Sequence, residues 1–261
     1  MYSDEHKKYL KKRKKENFLV RLFQLIIIVI SVFLWQILSD LGIINSFIAS
    51  SPKMVINTII KLNNTNNLFI HIWTTIYEII ISFTLSTIIG CLIATLLWWN
   101  KFISKIIDPY LTMLNSLPKV ALGPIIIIWF GANIKSIIIM SLLISLIITI
   151  INVLDGFNKT DSNKIKLLKS FKATKYQIYY KLILPSNYKT IISSLKINVS
   201  MSLIGVIMGE FLVSKRGIGY LIIYGSQIFN LSLVMTGIVI LAILSIIMYY
   251  SIYIIEKRLI K

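Results

Sequence analysis

The sequence predicts an all-α membrane protein with six transmembrane helices, and three observations support that fold class. First, 56% of the 261 residues are hydrophobic, which is more than a soluble globular protein carries. Second, the hydrophobic residues cluster into runs long enough to cross a bilayer as helices. Third, the basic residues concentrate between alternate runs, as they do in cytoplasmic segments of membrane proteins.

The apolar runs predict the six spans in order. A basic segment, residues 1–21, precedes the first run, and no small-x-small cleavage site follows that run, so we expect an uncleaved span. A polar loop, residues 39–67, is expected after it. Asp108 and Pro109 resemble a helix start, so span three is expected to begin there. The predicted spans are about 22–38, 72–99, 108–130, 134–153, 190–213 and 231–255.

The net charge of +18 sets the expected orientation of the chain. The basic residues lie at the ends of apolar runs and not along one face, which argues against nucleic-acid binding and favours contact with the lipid bilayer. If both termini are cytoplasmic, 21 of the 28 basic residues face the cytoplasm and five face outward. This asymmetry predicts cytoplasmic termini and a cytoplasmic segment 159–189.

Span three is interrupted by Leu117–Pro118 and by Gly123–Pro124. Prolines at membrane depth leave carbonyl groups unpaired unless protein or water satisfies them. The segment is therefore either an ordinary kinked helix or a broken helix that lines a translocation path. Lys119 follows the first interruption and either snorkels to the interface or faces a cavity.

Three acidic residues lie at or within apolar spans, where a charged residue is a candidate for a functional role. Asp108 is expected to be a helix N-cap at the inner surface. Glu78 either sits near the outer interface or has a functional role. Glu210 either pairs with Arg216 in the outer leaflet or acts directly on the transported species.

The stretch 214–230 is too apolar to be a free loop, and glycines interrupt it. Gly217 and Gly219 allow close backbone approach or a positive φ. We therefore expect a short element folded back over the outer end of the path. No catalytic motif, metal-ligand set or P-loop is present in the sequence, so we expect neither an enzyme nor a nucleotide site on this chain.

The segment Lys159–Lys189 is a basic polar island between long apolar runs. Helical spacing of its apolar residues predicts two short helices, with a bend near Lys172–Thr174. Thr174 and Gln177 fit a capping box for the second helix, which Pro185 is expected to end. The apolar stripe either packs on the chain's own helix ends or lipid, or docks a cytoplasmic partner.

This segment resembles the cytoplasmic EAA signature of ATP-binding cassette (ABC) importer permeases. Leu167 and Leu168 fall on the two alanines of the signature, and Leu182-x-Leu184-Pro185 falls on its closing Ile-x-Leu-Pro. Two positions depart from it, because Lys166 replaces the acid and Lys172 replaces the glycine. The resemblance implies that the ATPase docks on Ile165, Lys166, Leu167, Leu168, Phe171, Lys172, Tyr176, Leu182, Leu184 and Pro185.

Two further stretches extend the resemblance over residues 68–256. Residues 115–131, NSLPKVALGPIIIIWFG, are similar to a segment of permeases for nitrate, sulfonates and taurine. Residues 209–234, which begin GEF and contain RGIGYLIIYG, are similar to another segment of the same group. The resemblance implies a path along spans two to five, with candidate path residues Pro118, Lys119, Gly123, Pro124, Glu210, Gly217 and Gly219.

The resemblance also implies the partners. We expect a permease subunit in a bacterial plasma membrane, paired with a second copy of itself and with two ABC ATPase subunits that bind ATP and Mg. An extracytoplasmic binding protein would deliver a small solute, nitrate-, sulfonate- or taurine-like or a related organic compound.

Two other classes of function compete with this reading. A secondary transporter or channel would relay ions through Glu78, Lys119 and Glu210, but it gives no reason for the spacing in the island. A membrane enzyme acting on lipid would need converging acids or histidines, and no such motif is seen.

The orientation is testable by cysteine labelling in intact cells, after Cys91→Ser removes the only native thiol. We expect an impermeant maleimide to label Lys61→Cys, which is predicted to face outward, and to leave Lys164→Cys unlabelled until the cells are opened. Labelling of Lys164→Cys in intact cells would show that the predicted topology is inverted or wrong.

Overall fold

The computed structural model describes residues 4–45, 49–65 and 67–259, and the regular structure in these ranges is helical. Residues 1–3 of the expected basic segment, residues 46–48 and 66 of the expected loop, and Lys261 lie outside the described residues. The helices are α1 (Asp4–Asp40), α2 (Pro52–Asn64), α3 (Asn67–Trp99), α4 (Lys101–Ser116), a 3-10 turn (Lys119–Leu122), α5 (Gly123–Phe130), α6 (Ile134–Asn158), α7 (Ser162–Ser170), α8 (Lys175–Ile178, π-helical Tyr179–Ile183 and Leu184–Ser186), α9 (Tyr188–Val213), α10 (Ile218–Gln227) and α11 (Leu231–Leu259).

The predicted fold class is confirmed. Among the described residues, α1, α3, α6, α9 and α11 are long and apolar enough to cross a membrane. The sixth span is the interrupted one, in which α4 meets the 3-10 turn and α5 at an angle of 87°. Span three is therefore broken and is not an ordinary kinked helix. That it lines a translocation path stays a prediction. Which face of the membrane holds the termini stays a prediction.

The core is a three-helix unit of α3, α6 and α9, and small residues let these helices approach closely. A Cβ atom at Gly205 would lie 2.4 Å from the backbone of Ser141, and one at Gly209 would lie 2.9 Å from the backbone of Ile137. At Gly90, a Cβ atom would lie 2.7 Å from Thr149 Cγ2. Close backbone packing replaces the hydrophobic driving force that lipid does not provide between membrane helices.

Buried polar side chains also join the three core helices. The Asn198 amide on α9 donates to Thr87 Oγ1 at 2.8 Å, and its oxygen accepts from Ser86 Oγ at 2.9 Å, both on α3. Ser141 Oγ on α6 donates to the Ser202 carbonyl of α9 at 3.0 Å. Each of these hydroxyl and amide groups thereby has a hydrogen-bond partner within the protein, as a polar group at membrane depth requires.

An ion pair between a lysine of α9 and a glutamate of α11 holds these two helices together. Lys196 Nζ forms an ion pair with Glu256 and lies 5.4 Å from the ring centroid of Tyr253 and 5.8 Å from that of Tyr249. The carboxylate and the two aromatic faces compensate the charge of this ammonium group.

The expected loop 39–67 contains the helix α2, so that expectation is wrong. Ser51 has extended backbone angles and accepts the Met54 N–H at 3.3 Å, and Pro52 occupies the first turn. This start signal predicts a helix from local chemistry. The polar composition of the segment did not indicate a helix, because α2 is amphipathic and buries only one face, at Val55.

The expected helix start at Asp108–Pro109 is also wrong. Helix α4 begins seven residues earlier, at Lys101, because the Asn100 side chain accepts the N–H groups of Phe102 and Ile103 at 3.0 and 3.2 Å. Asp108 is exposed inside α4 and caps nothing, and Pro109 lies in the helix interior.

The close approach of α6 and α9 predicts the effect of one methyl group. Gly205→Ala should push the helices apart or strain the Ser141 backbone, at a cost of about 1–3 kcal/mol. The thermal unfolding midpoint of the purified protein in detergent should fall. Ser193→Ala, at an exposed position of the same helix, is the control and should leave it unchanged. Equal midpoints for both variants would contradict the assigned packing.

Candidate functional site

The island forms two short helices, as predicted, and side chains start both of them. Asp161 accepts the Asn163 N–H at 2.8 Å and begins α7. Thr174 accepts the Gln177 N–H at 3.3 Å while the Gln177 side chain accepts the Thr174 N–H at 2.8 Å. The second pair is the capping box that the sequence predicts, and it begins α8.

The bend between the two helices lies at Lys172, which has a φ of +59°. The Lys172 N–H donates to the Lys169 carbonyl at 2.9 Å, and the Ala173 N–H donates to the Leu168 carbonyl at 3.0 Å. A side chain in this left-handed region costs about 1 kcal/mol relative to glycine. The chain keeps the bend at the position where the EAA signature has glycine.

The prediction that Pro185 ends the second helix is off by one residue. Helix α8 ends at Ser186, after a π-helical stretch that precedes Pro185. At the joint with α9, the Asn187 amide donates to Ile183 O at 2.9 Å and to Thr160 Oγ1 at 2.7 Å. This bond to the segment that follows α6 fixes the direction in which α8 leaves the bundle.

The inner face of α8 is part of the bundle core. Ile178, Tyr179 and Ile183 are buried in one cluster with Phe157 of α6 and residues of α3. The Tyr179 hydroxyl hydrogen-bonds Thr95 Oγ1 of α3 at 2.8 Å. The island is therefore packed firmly onto the ends of α3 and α6, which we call the basic end of the bundle.

The expected docking residues of the island differ in their exposure, and their role in docking stays a prediction. Ile165, Leu168 and Leu184 are partly buried against the core cluster, so they pack on the chain's own helix ends. The exposed apolar residues are Phe171, with 73% of its surface accessible, and Tyr176, with 59%. The remaining expected docking residues divide into the exposed Lys166, Leu167, Lys172 and Pro185 and the half-buried Leu182.

At the opposite end of the bundle, the stretch 214–230 forms α10, as the sequence predicts for a short folded-back element. It packs against α3, α9 and α11. Gly217, which precedes α10, has a φ of +105° and is buried. The first N–H groups of α10 lack a cap from their own chain segment, because glycine has no side chain to provide one.

Buried side chains of α3 and α9 accept these N–H groups instead. The Gly217 N–H donates to His71 Nδ1 at 3.0 Å, and the Ile218 N–H donates to Thr75 Oγ1 at 2.8 Å. The Gly219 N–H donates to Glu210 Oε2 at 2.5 Å. We call His71, Thr75 and Glu210 the α10 clamp.

Glu210 is the centre of the α10 clamp. Its second oxygen, Oε1, accepts the Thr75 hydroxyl at 2.6 Å, so one carboxyl group joins α3, α9 and α10. A Cβ atom at Gly217 would lie 2.3 Å from Glu210 Cδ, and one at Gly219 would lie 2.8 Å from Glu210 Cβ. Only glycines leave room for this carboxyl group. Of the two alternatives for Glu210, the pairing with Arg216 is not found, since no ion pair joins these two described residues.

Glu78 is fully buried next to the α10 clamp and not at an exposed interface. Its side chain faces Glu210, but its two oxygens make no hydrogen bond of normal geometry to a described residue. Glu78 also borders a cavity of about 510 Å³ with Lys215 and Arg216 among its lining residues.

The break in span three faces the bundle only in part. Gly123 is buried, and a Cβ atom there would lie 2.4 Å from Leu212 Cδ1. Pro118 and Pro124 are exposed on the single chain. Lys119 Nζ donates to the Asn115 carbonyl at 2.9 Å and so satisfies one of the carbonyl groups that the break leaves free.

Comparison with known proteins decides the family. Residues 86–261 match the family described as binding-protein-dependent transport system inner membrane component. The chain belongs to this family. The resemblance to ABC importer permeases is thereby confirmed, and the protein is a multi-pass component of a bacterial inner membrane.

Individual relatives of this permease agree with the assignment. It is 31% identical over 199 residues to the formylaminopyrimidine transport permease of Halalkalibacterium halodurans, covering 76% of this chain and 77% of the relative. It is 29% identical to a probable ABC transporter permease of Haemophilus influenzae (87% and 92%) and 26% identical to a putative aliphatic sulfonates transport permease of Bacillus subtilis (88% and 83%).

A solved structure shares the permease's fold. One chain from an inward-facing form of the MetNI methionine ABC transporter superposes with a TM-score of 0.65 at 17% identity. The match covers 72% of this chain and 94% of that one. Agreement at this low identity shows that the two chains share the helical architecture.

The roles of His71, Thr75, Asn198 and Tyr179 in organising the permease were not predicted from the sequence. His71, Thr75 and Glu78 follow one face of α3 at helical spacing, and that pattern could have shown that Glu78 belongs to a polar cluster. Asn198, a lone amide within an apolar span, was a second available signal. The anchoring role of Tyr179 had no signal in the sequence, because its partners come from two distant helices.

The α10 clamp predicts a local effect of removing Glu210. Glu210→Ala leaves the Gly219 N–H without an acceptor, which costs about 1–3 kcal/mol, and leaves the Thr75 hydroxyl only its 3.2 Å bond to the His71 carbonyl. Amide hydrogen exchange should accelerate by about tenfold or more in residues 217–227 and stay unchanged in α7 and α8. Asp108→Ala, which removes an exposed carboxylate from α4, is the control. Unchanged exchange in α10 would contradict the clamp.

Proposed function

We propose that the chain is the permease subunit of an ATP-driven importer, in which separate subunits bind ATP and Mg and hydrolyse the nucleotide. The observation that carries this proposal is the island. It presents an exposed apolar surface at Phe171 and Tyr176 on two short helices whose other face is anchored in the core. Exposed aromatic residues on a rigid support are typical of a protein docking surface.

The anchoring supplies the route by which a docked ATPase would act on the membrane helices. Tyr179 forms a hydrogen bond with Thr95 of α3, and Asn187 forms one with Thr160 in the segment after α6. Helix α8 leads directly into α9. A displacement of the island is therefore transmitted to all three core helices as a rigid-body movement. On this proposal the island, the N-terminal residues and the C-terminal residues face the cytoplasm, and residues 68–256 form the permease domain.

The exposed break in span three supports pairing with a second copy. Pro118 and Pro124 interrupt the helix where lipid cannot satisfy the freed carbonyl groups, yet both are exposed on the single chain. The freed carbonyl groups would not face lipid if a second permease covered this surface or if a water-filled path ran between two copies. The solute path would then run past Lys119 and Gly123 between the two protomers.

The relatives narrow the class of solute. Two of the relatives are named for formylaminopyrimidine and for aliphatic sulfonates. We propose that this permease takes a small polar organic compound or anion of that range from an extracytoplasmic binding protein. The secondary-transporter alternative is weaker, because Glu210 is engaged in holding α10 and Lys119 in satisfying a carbonyl group.

Docking at the island is tested by Phe171→Asp. A carboxylate in a desolvated contact costs about 3 kcal/mol or more, which corresponds to about a hundredfold loss of affinity. The ATPase should no longer co-purify with the variant, and uptake should be lost while the permease still inserts into the membrane.

Two controls separate docking from general effects. Phe171→Leu keeps an apolar contact and should retain the ATPase. Asn163→Asp adds the same charge on the exposed first turn of α7 and should retain it as well. Normal ATPase recovery and normal uptake with Phe171→Asp would eliminate the island as the docking element.

A further inference from the structure

A cavity of about 420 Å³ lies at the basic end, between the island and the ends of the membrane helices. The end of α3, the start of α4 and the end of α6 form one side of it, and α7 and α8 form the other. The cavity is separate from the exposed surface at Phe171 and Tyr176, which are not among its lining residues.

The charge of this cavity is uncompensated. Lys101, Lys169 and Lys175 line it, and none of its lining residues is acidic. Within the described part of the chain, no ion pair involves any of the three. Lys175 Nζ donates to the Trp99 carbonyl, which neutralises no charge. Three ammonium groups around one cavity create a site that attracts an anion.

The walls of the cavity identify the kind of anion. Its floor is apolar, with Phe157 and Ile178 buried and Ile165 half-buried. Trp98 also lines it, and Lys175 Nζ lies 6.0 Å from the Trp98 ring centroid. Tryptophan at a helix end marks the depth of lipid headgroups, and lysine stems lie along apolar surface while their charges stay at the headgroup level.

We propose that this cavity binds the headgroup of an anionic phospholipid. The phosphate would lie among Lys101, Lys169 and Lys175, and the upper acyl carbons would contact the apolar floor. Basic pockets between membrane helices are suited to such headgroups. A bound lipid would contact α3, α4, α6 and both island helices at once, so it would brace the island on the bundle without depending on the ATPase.

The test uses the full-length permease in a neutral detergent and measures the binding of short-chain phosphatidylglycerol, phosphatidylcholine and soluble glycerol phosphate. The double variant Lys101→Gln/Lys169→Gln removes two of the three charges at exposed positions. The matched control, Lys53→Gln/Lys61→Gln, removes two exposed charges from α2 at the opposite end.

We expect phosphatidylglycerol to bind the wild type more tightly than phosphatidylcholine does. The cavity variant should weaken phosphatidylglycerol binding by about 30-fold, from about fivefold for each ammonium group, and the α2 control should not. Equal weakening by the two variants, or equal affinity for the two lipids, would overturn the proposal. Glycerol phosphate binding as tightly as phosphatidylglycerol would also overturn it, because the site would then select a free anion and not a lipid.

Discussion

The hydrogen bonds of the buried Glu210 carboxyl group hold together the end of the permease that carries α10. This carboxyl group accepts the Gly219 N–H and the Thr75 hydroxyl, while Thr75 in turn accepts the Ile218 N–H. Three helices meet at this group, and Gly217 and Gly219 leave room for it because they lack a side chain. A charge-bearing side chain at membrane depth is costly unless such partners surround it. Here the partners are the N-terminal N–H groups of α10, whose helix dipole favours a carboxylate.

The two ends of the bundle are connected by helices that pack too closely to move independently. Gly205 and Gly209 bring α9 against the backbone of α6, and Asn198 bonds α9 to α3. At the basic end the same helices hold the island through Tyr179. A movement imposed at the island therefore reaches α10 through one rigid unit, and this is how the proposed importer would couple its ATPase to the outer end of the path. Packed interfaces of this kind switch between discrete arrangements and do not deform continuously.

The parts of this fold that follow from local chemistry were predictable from the sequence. The spans, the break before Pro118, the capping box at Thr174 and the bend at Lys172 each depend on residues close in the chain. The α10 clamp was not predictable from the sequence, since Thr75 and Glu210 lie 135 positions apart and nothing local indicates their contact. The docking face was only partly predictable, because helical spacing shows that Ile165 and Phe171 belong to short helices but not which side faces the bundle. The helix start was wrongly placed at Asp108 because the actual N-cap, Asn100, directly follows the end of α3 at Trp99.

Thr75 and Glu210 act as one unit in holding α10, and a double-mutant cycle measures the coupling between them. Thr75→Val, Glu210→Gln and the double variant would be compared with the wild type by thermal unfolding of the purified permease in detergent. Because the two side chains share a hydrogen bond and both hold α10, we expect a coupling energy of about 0.5–3 kcal/mol, with the double variant less destabilised than the sum of the single variants. Strictly additive effects would contradict the claim, since they would show that the two residues stabilise the permease independently.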